Sequence, residues 1–161
     1  MTEESDVKKA TIIVCSGDMD KLMGAYIIGT GAAAMGMEVV MFHTFWGIRA
    51  LKKNVHTGQS LFGRMLGFMY GGDITKAMPS KFAFGGIGRW MFNKMMKDKG
   101  VASLLELRQM AIDLGVKLVP CQMSMDVMEI RREDLIDEID EVAGVASMLV
   151  DAQESQIQYC V

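Results

Sequence analysis

The sequence has no CxxC pair, no glycine-rich nucleotide loop and no unbroken apolar run long enough to cross a bilayer. Each absence excludes a class of function. The three cysteines, Cys15, Cys121 and Cys160, are an odd number without metal-ligand spacing, so neither a disulfide framework nor a zinc site is expected. The two histidines, His43 and His56, have no third nitrogen or carboxylate at ligand spacing, and no metal is predicted. Glycines 17, 29 and 31 do not form a GxGxxG loop after the first strand, and GxxxxGK followed by Ser or Thr is absent. Nucleotide binding therefore lacks its usual cradle, and no cofactor is expected. The first residues, MTEESDVKKA, carry no basic stretch followed by an apolar run, so neither a signal nor a transit peptide is read there, and a cytoplasmic location is expected.

What is present suits a single domain spanning 1–161, long enough for a substantial core. The net charge of −3 argues against nucleic acid as a partner, but it conceals a split. From Lys52 to Lys99 nine basic residues face two acidic ones; from Asp126 to Glu154 ten acidic residues face two basic ones. Two solvated faces that attract each other within the fold or across an oligomer account for this pattern. A basic docking surface for an anionic partner is the alternative.

Ala10 to Cys15 (ATIIVC) is a β-branched run ending abruptly at Ser16-Gly17-Asp18, as a buried parallel strand does. Asp18 is placed to cap a helix from Met19 to Met35, whose Gly24, Gly29, Gly31 and Ala32 to Ala34 leave a thin side for close packing on a sheet. Gly36 ends that helix, and Met37 to Thr44 (MEVVMFHT) returns as a second strand, completing a β-α-β unit. Ile48 to Lys53 reads as the first turns of another helix.

Residues 54–100 break the pattern. They are rich in Gly, Met and aromatics, and Arg64, Asp73, Lys76, Lys81 and Arg89 interrupt every apolar run, so an insertion is expected there and no membrane span. Ser103 with Glu106 forms a capping box for a helix to Leu114, and Gly115 closes it. Val116 to Val119 is the next strand. Gln122 to Met128 and Arg132 to Ile139 are short helical patterns, Val142-Ala143 a brief strand, Ala146 to Gln153 a helix, and Ile157 to Val161 a last strand. The alternation predicts an α/β fold: a three-layer α/β/α sandwich around a mainly parallel sheet of about five strands.

Ligand and catalytic groups gather beyond the carboxyl ends of strands in such a sheet. Cys121 stands there, after VKLV and before a helical pattern, where the positive end of a helix dipole favours a thiolate. Pro120 fixes the approach of the chain. A buried, inert cysteine fits the same position. Cys15, at the end of the first strand, is read as core or as a supporting thiol that could face Cys121, and Cys160 as packed in an edge strand. His43 is the one candidate base at this edge for a Cys-His hydrolase. Asp126 is placed to orient the loop or to cap the short helix. Seventeen methionines, clustered at 65–96 and 123–128, suggest adaptable apolar packing within an oligomer.

The segments CSGDMDK (15–21), GAAAMGMEVVMFHTFWG (31–47) and above all PCQMSMDVM (120–128), followed by AGVA (143–146), resemble the DsrE/DsrF-like family, in its longer, insertion-bearing branch. The resemblance implies an α/β/α fold, homo-oligomers, and persulfide carriage on Cys121 between donor and acceptor proteins of the rhodanese and TusA type. A sulfur carrier or sulfurtransferase is thus the leading expectation. Two alternatives stand beside it. One is a scaffold, peripheral to a membrane, that docks through the basic aromatic insertion, with Lys81 to Lys97 as an interfacial helix. The other is a thiol peroxidase or reductase, which would need Cys15 as its resolving thiol.

Overall fold

The computed structural model describes residues 7–161; the acidic start of the chain lies outside the described residues. Four parallel strands form the sheet: β1 (Lys9–Val14), β2 (Glu38–His43), β3 (Lys117–Pro120) and β4 (Ile157–Cys160), in the order β3-β2-β1-β4. The expected fifth strand at Val142-Ala143 contributes one parallel bridge, Cys121 to Ala143, at the β3 edge. Asp140 explains part of this reduction: its carboxylate accepts the Leu118 N–H at 2.9 Å, a ladder position that a paired strand would have filled with a carbonyl.

Helices α1 (Met19–Ala34) and α4 (Leu104–Asp113) pack against each other and cover one face of the sheet. Their Leu22, Tyr26, Leu107 and Ala111 join Ile12, Val14, Met41 and Leu118 in the main core. The opposite face is covered by α6 (Val145–Glu154), which puts Met148 and Ala152 against Val40, Phe42 and Val119. Lys9 anchors α6 to β1 through Asp151 at 2.6 Å and Glu154 at 3.1 Å. These hydrogen-bonded charges raise the Lys9 pKa.

Of the glycines expected to thin α1, Gly29 alone meets the sheet, with room for a Cβ only 3.1 Å from Met41 Sδ; Gly24 and Gly31 face open space. Asp18 occupies the N-cap position without a capping side-chain bond, because its carboxylate is engaged by the Ser16 hydroxyl at 3.0 Å. Ser103 and Glu106 form the capping box expected for α4. The turns after β2 are a 3-10 helix at Phe45–Leu51, and the pattern at Arg132 to Ile139 shrinks to a 3-10 turn at Arg132–Asp134.

The segment 54–100 contains two surface helices, α2 (Leu61–Met69) and α3 (Ile87–Asp98). It is tied to the acidic half of the chain: the Glu129 carboxylate accepts the N–H of Gln59, the N–H of Ser60 and the Ser60 hydroxyl, which lowers its pKa. Lys53 adds an ion pair to Asp137 at 2.9 Å. The charge split read from the sequence is thus partly satisfied within the fold. Among the described residues no helix is long and apolar enough to cross a membrane.

Candidate functional site

The ladder hydrogen bonds run one residue past each strand end and align the thiols. Thr44 N–H donates to Val14 O at 2.9 Å, Cys121 N–H to His43 O at 2.8 Å, and Cys15 N–H to Val161 O at 2.7 Å. Since Val14 pairs with His43 and His43 with Pro120, the residues Cys15, Thr44 and Cys121 fall in one row along the carboxyl edge of β1, β2 and β3. Strand alternation turns Cys15 and Cys121 to the α6 face, with Ile13 and Val119 two residues before them.

Cys121 is the N-cap of α5 (Gln122–Val127), a helix of six residues. Its backbone is held on both sides, by His43 O and by the bridge to Ala143, through which Gln122 N–H donates to Ala143 O at 3.0 Å. The side chain makes no capping bond and is 3% exposed, packed with Val119, Phe42 and Ala143. It does not line the groove of about 1020 Å³ that opens between the start of α1, α3 and α4, around Met19, Met96 and Met110. Beside Cys121, the Ser124 hydroxyl is buried and bonds to Thr44 Oγ1 at 2.8 Å, locking α5 to the end of β2. Asp126, expected to orient or cap, is exposed and accepts a bond from Gln122 Nε2 at 2.7 Å within α5; it does not cap the helix.

Cys15 does not face Cys121. One strand lies between them, which at ordinary strand spacing separates their backbones by roughly 10 Å, beyond disulfide reach. Cys15 Sγ instead stands 3.8 Å from Cys160 Sγ on the neighbouring strand. Burial and this contact push the Cys15 thiol up to about 11. Cys160 sits in the expected edge strand but is exposed, not packed.

His43 is not a base for Cys121. Its ring is fully buried on the opposite face of the sheet, where Nδ1–H donates to Met41 O at 3.0 Å and Nε2 accepts from the Tyr26 hydroxyl at 3.3 Å. Burial pulls its pKa down to about 4, so the ring is neutral at physiological pH. Among the described residues no cluster of three or more His, Cys, Asp or Glu is arranged to hold a metal ion.

Sequence reasoning missed Arg49 and Lys52, both buried beneath the insertion. The Arg49 guanidinium lies 3.7 Å from the centre of the Tyr70 ring, and Tyr70 packs on Trp46. Lys52 Nζ reaches Thr57 Oγ1 at 3.4 Å. Desolvation lowers both pKa values. Tyr70 in turn covers Gly17 in the turn after Cys15, so the insertion reaches back to the edge that bears the thiols. No spacing in FWGIRALKK marks them, because Gly47 to Leu51 are all buried whichever side of the 3-10 helix they occupy.

A family model described as DsrE/DsrF/DrsH-like matches residues 6–160. The chain belongs to the DsrE/DsrF/DrsH-like family. Its relatives include YrkE of Bacillus subtilis (strain 168), itself uncharacterized, at 43% identity over 159 residues, covering 98% of each chain. The sulfur carrier protein DsrE2 of Allochromatium vinosum is 34% identical over 156 residues, 93% of this chain and 96% of that protein. Two solved structures share the DsrE-like fold at 9% identity. The ychN protein from E. coli superimposes with a TM-score of 0.57 over 95% of this chain and 99% of its own, and protein MTH1491 from Methanobacterium thermoautotrophicum with 0.55 over 96% and 99%.

Proposed function

We propose that the protein is a sulfur carrier that holds sulfane sulfur as a persulfide on Cys121 and passes it between protein thiols. The observation that supports this most is the position of Cys121 at the carboxyl end of β3, immediately before a helix, in a chain of the DsrE/DsrF/DrsH-like family with a sulfur carrier among its relatives. The thiolate of Cys121 would attack the outer sulfur of a donor persulfide, and an acceptor thiolate would later attack that same sulfur. No cofactor enters either step. Donors and acceptors of the rhodanese and TusA type, a homo-oligomeric state, action as one domain and a reducing cytoplasmic setting belong to the same proposal.

Burial sets the condition for transfer. A thiol 3% exposed must be uncovered before it can meet a protein donor. Ala143 and the α6 residues Met148 and Ala152 cover the thiol, and loosening them, or the α5 turn that Cys121 begins, exposes it without disturbing the central strands. Incubation with polysulfide followed by mass spectrometry of the intact protein and its peptides tests the reading. One added sulfur on the peptide containing Cys121, absent in Cys121→Ala, is expected. No loading there, or equal loading of Cys121→Ser, defeats it.

One observation favours a second reading, a docking scaffold peripheral to a membrane. Leu61, Phe62, Phe68 and Met69 of α2 and Trp90 of α3 are each exposed by two-thirds or more, and Arg64, Arg89 and Lys94 lie among them. Apolar side chains flanked by cations suit an anionic interface. Salt-sensitive sedimentation with anionic vesicles, lost on deletion of 54–100, would support it. A stable oligomer that buries these residues and ignores vesicles would refute it.

A further inference from the structure

We propose that Cys15 and Cys160 form a second thiol site, a dithiol that takes sulfane sulfur from a persulfide or inorganic polysulfide and discharges it as hydrosulfide by closing an intramolecular disulfide. This goes beyond carriage on Cys121 and does not depend on it.

The geometry is specific to this pair. β1 and β4 are parallel neighbours with Ile13 opposite Cys160, so Cys15, two residues beyond Ile13, points to the same face. The two sulfurs, 145 residues apart in sequence, stand 3.8 Å from each other, while Cys121 is separated from Cys15 by the whole of β2. Bond formation brings the sulfurs to about 2.05 Å. The two residues are diagonal rather than directly opposite, so the end of β4 must shift toward Cys15. Every residue from Ile157 to Cys160 is exposed, so the shift is resisted chiefly at Val161, which packs on the main core, donates its N–H to Ile13 O at 2.9 Å and accepts the Cys15 N–H at 2.7 Å.

The two thiols also differ in the way a sequential reaction needs. Cys160 is exposed and accessible to a donor, whereas Cys15 is half-buried beside it. Cys15 keeps its proton at neutral pH, its pKa pushed up to about 11, and its S–H is within hydrogen-bonding distance of Cys160 Sγ. The exposed sulfur therefore reacts first. The Cys160 thiolate attacks the outer sulfur of the donor RS–SH; the donor S–S bond breaks, RS⁻ leaves and takes up a proton, and Cys160 becomes a persulfide. Cys15 then loses its proton and attacks Cys160 Sγ. A Cys15–Cys160 bond forms, the bond to the outer sulfur breaks, and HS⁻ departs with the electron pair and accepts the proton.

The sum is RSSH plus two thiols giving RSH, H₂S and one disulfide. The sulfane sulfur is reduced by two electrons, and the two cysteine sulfurs are each oxidised by one. A single turnover needs no other reductant, and an external dithiol regenerates the pair.

The test uses the full chain as Cys121→Ala, which leaves Cys15 and Cys160 as its thiols. The reduced protein is mixed with a small organic persulfide, whose leaving group is a thiol rather than sulfide, blocked with an alkylating agent, digested and analysed by mass spectrometry, with hydrosulfide measured in parallel. The expected result is a cross-linked peptide pair joining Cys15 and Cys160, loss of both alkylation sites, and hydrosulfide release equal to the amount of cross-link. Introducing Cys15→Ser into this background should leave the added sulfur stable on Cys160 and abolish the release. Absence of the cross-link in a protein whose circular dichroism matches wild type overturns the proposal, and so does a cross-link formed without hydrosulfide. Failure of Cys121 to load in wild type bears on carriage alone, since this experiment omits Cys121.

Discussion

The Tyr26 hydroxyl and His43 Nε2 meet at 3.3 Å inside the core, on the face of the sheet away from Cys121. Nδ1 carries the ring proton because its partner, the Met41 carbonyl, can only accept. The arrangement uses both nitrogens of a neutral imidazole and leaves no place for a second proton. A residue at an apparent active edge is thereby committed to structure.

This commitment makes stability depend on pH. The folded pKa, about 4, lies below the ordinary value of 6.5, so the unfolded chain binds the proton more readily. The stabilisation is complete above pH 6.5 and is lost as pH falls toward 4, at a cost of about 3 kcal/mol. Urea unfolding from pH 7 to pH 4 should show this loss in wild type and a shallower slope in His43→Gln. Identical slopes would mean that His43 titrates as an ordinary exposed histidine.

Gly17 supports the edge from the side of the insertion. A Cβ there would collide with Tyr70 Oη and stand 2.6 Å from the Trp46 carbonyl oxygen. Gly17→Ala should cost about 1–3 kcal/mol by overpacking. Adding Tyr70→Phe removes the hydroxyl but leaves the carbonyl, so thermal melts should recover part of the loss. Full recovery would place the whole conflict at Tyr70.

Ser103 caps α4, and its Oγ accepts the Glu106 N–H at 3.3 Å. Ser103→Ala should lower stability by about 1 kcal/mol, whereas Ser103→Thr, which keeps a hydroxyl to donate to Glu106, should lose much less. Denaturant titrations of the three proteins measure the difference. Equal stability of all three would show that the cap contributes nothing.

Thiol accessibility should rank Cys160 first and Cys121 last in the native protein. Alkylation timed by mass spectrometry, with and without denaturant, reads that order directly. If Cys121 carries sulfur, its loading rate at saturating polysulfide should equal its alkylation rate at saturating reagent, since local opening limits both. Ser124→Ala, which removes the bond to Thr44, should accelerate the two rates together. Loading that outruns opening would require a route to the sulfur other than release of its cover.

Much of the fold was legible because local signals agreed. The apolar runs ATIIV, EVVMFH and KLV can be satisfied only in a buried sheet, Gly36 and Gly115 supply the left-handed turns that end α1 and α4, and Ser103 with Glu106 writes a helix start. At Val142-Ala143 the chain forms one bridge where a strand is expected, since the two look alike over two residues. The insertion departs visibly from the pattern; a helix expected over Lys81 to Lys97 corresponds to α3 at Ile87–Asp98, whereas α2 is hidden among glycines.

The α/β alternation, the strand ends at which Cys15 and Cys121 emerge, and the family resemblance at PCQMSMD are all local properties of the chain. Tertiary structure decided which groups meet. Strand order is not local information: with β2 between β1 and β3, Cys15 is removed from Cys121, and with β4 on the other flank it is brought to Cys160. Side-chain facing likewise comes from register, which turns the His43 ring to Tyr26 and the Cys121 thiol to α6. A residue's place along the chain set its chemistry, and its neighbours across the sheet set whether that chemistry has a partner.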